Sequence, residues 1–387
     1  MPLTSKERVI AAINHEEPDR VPIVIGVSNA TGIKMKTYQK IKALAGINAP
    51  DEYIYQWPEL GTAHVDEETL QRLHGDVRGV LDLEPSHVRE RNKGREPHAP
   101  YRDSWGTGQI EITEGEWTPG APPMPNANTL EDIEAYPWPD MDDPTRVAHI
   151  HAQAKMLADE NEYAIMGTPW LLFPFERAIA MQGMDNFLLN MAIEPDFAKA
   201  LLAKITEKCK QMMGNFLRET GELLDIIKIG DDLGSQESLL ISPKMYREMI
   251  KPFHADLIAF TKERTQAKLF FHTDGDVFGL IDDLIEIGVD ILNPIQTSAG
   301  RMSDLEGLKR QFGDRIAFCG AIDTHSVLPQ GSPEEVQQEV KRVIHALGPG
   351  GGYMVSSVHT IMNDVPAQNV LAMVDAVEKY GTYPLKG

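Results

Sequence analysis

Between residues 268 and 276, KLFFHTDGD, an apolar run breaks off into His272, Thr273, Asp274, Gly275 and Asp276. Buried strands look like this where they deliver polar side chains to the rim of a sheet. His272 and Asp274 lie two residues apart, so on a continuing strand they face the same side. An imidazole beside a carboxylate suits acid–base work or a divalent metal. Other apolar runs end in the same way, and their rim residues are Ser28, Asp76 (if its strand begins later than residue 76), Thr168, Asp231, Asp232, Gln296, Cys319, Asp323 and His359. Zinc accepts His, Cys and Asp and leaves a fourth position for water or substrate. His272 and His359 are the expected ligands, with Asp274 and Cys319 competing to join them.

Each of these residues also has a blander role open to it. Asp231 and Asp232 can cap the following helix near Ser235, and Cys319, inside an apolar run, can be inert filling. His325 can be a helix N-terminal residue. The two histidines differ in that they end separate strands of one rim. Nucleophilic hydrolysis finds no support, since neither G-x-S-x-G nor H-E-x-x-H occurs.

The elements that must position these residues alternate regularly. Eight apolar runs, at about residues 21–27, 76–83, 163–167, 225–230, 268–272, 289–295, 316–319 and 353–356, are separated by helical pattern. No G-x-G-x-x-G or phosphate-loop motif follows any of them. The economical reading is α/β, a (β/α)8 TIM barrel whose strand ends converge on one mouth. It forms one domain over residues 1–387, interrupted at about 84–145 by a Pro-, Gly- and aromatic-rich stretch. Alternation at 109–113 marks that stretch as an antiparallel or irregular excursion.

Composition narrows the partners. Asp and Glu number 58 against 37 Lys and Arg, a net charge of −21, which disfavours nucleic acid and anionic membranes. Two cysteines give no disulfide framework. With no apolar signal core near the start and no long apolar run, the expected location is the cytoplasm.

The start (KERVIAAINHEEPDRVPI), Gly167-Thr-Pro-Trp170, DDLGS at 231–235, Gly320-Ala-Ile-Asp323 and the ending GGGYMVSSVHTIMNDVPAQNVLAMVDAV resemble the uroporphyrinogen decarboxylase superfamily. The resemblance runs over nearly the whole chain and implies a (β/α)8 barrel with its site at the C-terminal mouth. It also implies two main activities. True decarboxylases place two arginines for substrate carboxylates where this chain has Gly26-Val-Ser-Asn-Ala-Thr31, and a tyrosine where it has Phe175. Their pyrrole-binding aspartate would correspond to Asp76 and their histidine near the C-terminus to His359. The zinc methyltransferases hold their metal with His-x-Cys after the fifth strand and Cys after the eighth. Here His272-Thr-Asp274 and His359 stand at those places.

The resemblance therefore implies a metal-assisted, zinc-type methyltransferase or demethylase, moving a methyl group between a small substrate and a corrinoid protein. The alternatives are a cofactor-free decarboxylase of tetrapyrrole synthesis and a non-catalytic corrinoid or tetrapyrrole binder. The expected catalytic residues are Asp76, Asp232 and His359. Ser28, Trp170, Phe175, Asp231 and Gln296 are expected to bind substrate, and His272, Asp274, Cys319 and His359 to bind metal.

Overall fold

The structure, a computed structural model, describes residues 3–54, 61–93, 101–113, 116–170 and 173–385. Its centre is a parallel sheet of seven strands: β1 (Val77–Leu81), β2 (Ala164–Thr168), β3 (Ile226–Gly230), β4 (Lys268–His272), β5 (Ile291–Asn293), β6 (Ala317–Ile322) and β7 (Tyr353–Ser357). Neighbours in the sheet are neighbours in the chain, with helices on the outside. This is a TIM-barrel-like α/β fold. The expected eighth strand, residues 21–27, is not a regular strand. It nonetheless fills the gap between β7 and β1, since Val24 N donates to Val355 O and Asp76 N donates to Ile23 O, both at 2.9 Å.

Strand alternation sorts the apolar residues into two cores. On β4, Leu269 and Phe271 face the helices while Phe270 points into the barrel, with Ile226, Ile291, Ala317 and Met354. Fully burying such side chains stabilises the fold by roughly 1.5–3 kcal/mol each. The same alternation turns His272, two residues beyond Phe270, inward at the top of the barrel.

The opposite end is plugged. Thr4 and Glu7 form a capping box that starts a helix at Ser5–Ile13, and its Val9, Ala12 and Ile13 join the barrel interior. Arg8 of this helix reaches Asp76 at 2.6 Å.

The excursion contains an antiparallel sheet of Tyr101–Arg102, Gly108–Thr113 and Glu116–Ala121. Buried ion pairs tie its surroundings to the barrel: Arg177 to Asp103 at 2.9 Å and Arg146 to Asp82 at 3.1 Å. No helix among the described residues is long and apolar enough to cross a membrane.

Candidate metal centre

Two loops at the mouth are pressed back to back, and this places the carboxylates. Gly275, after β4, has φ of +88°, and a Cβ there would lie 2.4 Å from the Gly234 carbonyl carbon. Only glycine tolerates both the left-handed backbone and the approach. The contact lets Asp274 N donate to Asp232 Oδ1 at 2.9 Å, so the loops after β3 and β4 are locked together.

Asp274 then stands between the two histidines. Its Oδ2 is 3.9 Å from His272 Nε2 and 3.8 Å from His359 Nε2. The imidazole ring centres are 5.4 Å apart. One ligand atom from each of the three residues falls within 4.8 Å of the others. Those separations are too long for direct hydrogen bonds. The two carboxylate–imidazole distances are within about 0.5 Å of the ~3.4 Å that separates two ligand atoms on a tetrahedral ion with bonds of about 2.1 Å.

Three observations fit a divalent cation. First, the Asn293 amide is oriented because its Nδ2 donates to Cys319 O at 3.1 Å. Its Oδ1 therefore faces His272 Nδ1, 2.7 Å away, and that nitrogen must carry the proton. The lone pair is left on Nε2, toward Asp274 and His359. Second, Asp274 Oδ1 is buried without a hydrogen-bond partner, a costly state for a carboxylate. Third, the charges do not balance. Glu176, Asp232 and Asp274 face a single ammonium, Lys228, leaving two negative charges in excess. Burial, followed by mutual repulsion at Glu176 and Asp232, raises all three carboxyls above their usual range. Two protons or one dication relieve the same excess.

Both imidazoles are held neutral, as ligands must be. Burial pulls His272 down to about 4 and His359 to about 4, against the pull of the nearby carboxylates. His359 keeps 43% of its side-chain surface open to the cleft, against 11% for His272, so the buried ring carries the firmer preference.

Several expected site residues sit elsewhere. Asp76 lies at the plugged end, before β1, with its carboxylate fully buried between Arg8 and Arg20, 2.6 and 2.8 Å away. It organises the barrel floor and does not face the mouth. Phe175 is fully buried in the outer core against Phe187, with ring centres 6.1 Å apart, and does not wall the mouth. Asp231 does cap a helix, although not the one after it. It accepts from Phe175 N at 2.9 Å and Glu176 N at 2.6 Å, and pairs with buried His254 at 2.7 Å. Cys319 is fully buried in the barrel interior and lies outside the His–Asp–His group. Burial pushes its thiol up, away from thiolate, and it backs His272 only at one remove, through Asn293.

Ser28 and Gln296 are at the rim but turned into its loops. Ser28 Oγ meets Thr31 Oγ1 at 3.1 Å, and Gln296 Oε1 accepts from Gly275 N at 2.7 Å. Trp170 is half-buried against Leu81 and Tyr101, beside the excursion. Asn293, Glu176 and Lys228 are the residues that reading the sequence missed. The signal for Lys228 was a lone lysine in an apolar strand, DIIKIG.

A family model described as uroporphyrinogen decarboxylase (URO-D) matches residues 108–380. The chain belongs to that family. Among curated URO-D proteins, the uroporphyrinogen decarboxylase of Coxiella burnetii is 24% identical over 221 residues, 55% of this chain and 56% of its own length. That of Pseudoalteromonas atlantica is 34% identical over 84 residues, 22% of this chain and 23% of its own. The chain thus spans little more than half the length of the Coxiella relative it matches. Among solved structures, a methyltransferase from Methanosarcina mazei superposes with a TM-score of 0.67 at 16% identity, covering 98% of this chain and 99% of that one. At that identity the two share a fold.

Proposed function

We propose that this URO-D family protein is a zinc-type metal enzyme that moves a methyl group between a small substrate and a corrinoid protein. The observation that carries the reading is the His272–Asp274–His359 group, with the His272 lone pair aimed inward and the group's charge short of a dication. A divalent ion held there would polarise the methyl-bearing or methyl-accepting heteroatom. A His–Asp–His set leaves more positive charge on an ion than thiolates do, which suits activation of oxygen better than of a thiol.

The chain's own residues supply the rest. Asn293 keeps His272 in its ligating tautomer, and Asp232 anchors the Asp274 backbone. Burial, with Asp232 alongside, raises the Glu176 carboxyl, which favours a proton there; giving that proton to the mouth would leave a carboxylate near Lys228. The Methanosarcina neighbour is named a methyltransferase, which supports this direction.

Purified protein incubated with zinc and dialysed should retain about one ion per chain. His272→Ala and His359→Ala should each lose it. Trace metal in the wild type after zinc loading would end the metal reading.

The names of the curated relatives favour a second reading, cofactor-free decarboxylation. Against it, residues 26–31, GVSNAT, hold no arginine where the decarboxylases place two for substrate carboxylates. This reading expects carbon dioxide release from a porphyrinogen without a corrinoid protein and without sensitivity to chelators.

A further inference from the structure

We infer that Lys228 and Asn29 form an anion-binding subsite on the floor of the mouth, and that the small substrate carries a carboxylate there. The inference rests on the reading of the mouth as the substrate site and adds the chemical class of what enters it.

Lys228 lies two residues beyond Ile226, an interior residue of β3, so it too points into the barrel. Its side chain crosses to the loop after residues 21–27, where Nζ donates to Asn29 Oδ1 at 3.2 Å. A half-buried ammonium ordinarily finds a carboxylate partner. Lys228 does not: among the described residues no carboxylate comes within ion-pair distance. Glu176, Asp232 and Asp274 act on it only from further off. Burial lowers its pKa to about 8, so the ammonium persists at pH 7.

Asn29 completes the pair. Its backbone carbonyl accepts from the Thr360 hydroxyl, next to His359, which fixes it against the loop carrying that histidine. Its Oδ1 is committed to Lys228, so its Nδ2 must present two N–H groups, and no described residue accepts them. Two donors of Nζ and two of Nδ2 thus lie together, one group charged, at a half-buried position. A carboxylate answers such a set with charge-assisted hydrogen bonds. With a dication at the His–Asp–His group, Lys228 and the three carboxylates would sum to zero, so a bound monoanion would add one negative charge where a dianionic phosphate would add two.

The test uses zinc-loaded protein at pH 7, titrated calorimetrically with 4-methoxybenzoate and with neutral 4-methoxybenzamide, zinc content being measured on the same samples. The acid should bind tighter than the amide by on the order of tenfold or more. Lys228→Met and Asn29→Ala should bring that ratio near one, and Lys228→Arg should keep most of it. An acid preference that survives in Lys228→Met with zinc bound would mean the carboxylate sits on the ion and overturns the subsite. Equal binding of acid and amide by zinc-bound wild type also overturns it, leaving the metal reading intact. A Lys228-dependent acid preference in protein that takes up no zinc would sustain the subsite and sink the metal reading. Inorganic phosphate competing as well as benzoate would overturn the carboxylate assignment.

Discussion

His272 donates its Nδ1–H to Asn293 Oδ1 across 2.7 Å, from the last residue of one strand to the last residue of the next. Parallel pairing puts the two side by side. The bond decides which imidazole nitrogen faces Asp274, so a residue outside the ligand group controls the ligand.

Replacing Asn293 by Ala should therefore weaken zinc binding by about 10–100-fold, the usual cost of losing such an outer partner. Competition with a chromogenic chelator measures it. An unchanged affinity would show that His272 holds its tautomer without help.

Asp274→Asn separates stability from metal binding. The buried, unpartnered Oδ1 of Asp274 costs the metal-free protein free energy. The neutral amide should raise apoprotein stability by about 1 kcal/mol and abolish stabilisation by added zinc. Thermal unfolding with and without zinc checks both halves.

The histidines make a pH prediction. Their folded pKa values are near 4, against about 6.5 for unfolded His, so between those values the unfolded chain binds more protons. Their contribution is complete above about pH 6.5 and is lost as pH falls toward about 4. Buried Glu176, Asp232 and Asp274 have raised values, so their contribution runs the other way, lost as pH rises. Comparing unfolding free energies of metal-free wild type and the double variant His272→Gln/His359→Gln isolates the histidine share. Wild-type stability relative to the variant's should rise from about pH 4 to about pH 6.5.

Asp76→Ala should behave as a structural lesion. Removing the carboxylate takes a buried partner from Arg8, Arg20 and Ile23 N, although Asp19 and Glu378 still pair the two arginines, and should cost about 3 kcal/mol, the low end for breaking buried pairs. Zinc bound per folded chain should not change. A loss of zinc without loss of stability would return Asp76 to the site.

The barrel was legible because strand alternation and helix caps are local properties. Phe270 with its neighbours, and Thr4 with Glu7, announce their elements within a few residues. His272, Asp274 and His359 were legible for a related reason, since each follows an apolar run whose end must lie on the common rim. Depth and direction were not legible. Asp76 and Asp232 both border strands, yet one begins its strand and the other follows its own, which sends them to opposite ends of the barrel. Cys319 and Asn293 share the interior, and only three-dimensional packing made one inert and the other the partner of His272. Lys228 and Asn29 meet across the barrel at 3.2 Å from positions far apart in the chain. Hydrophobic periodicity says which face a residue takes, whereas who stands opposite depends on closure of the barrel, which no local pattern encodes.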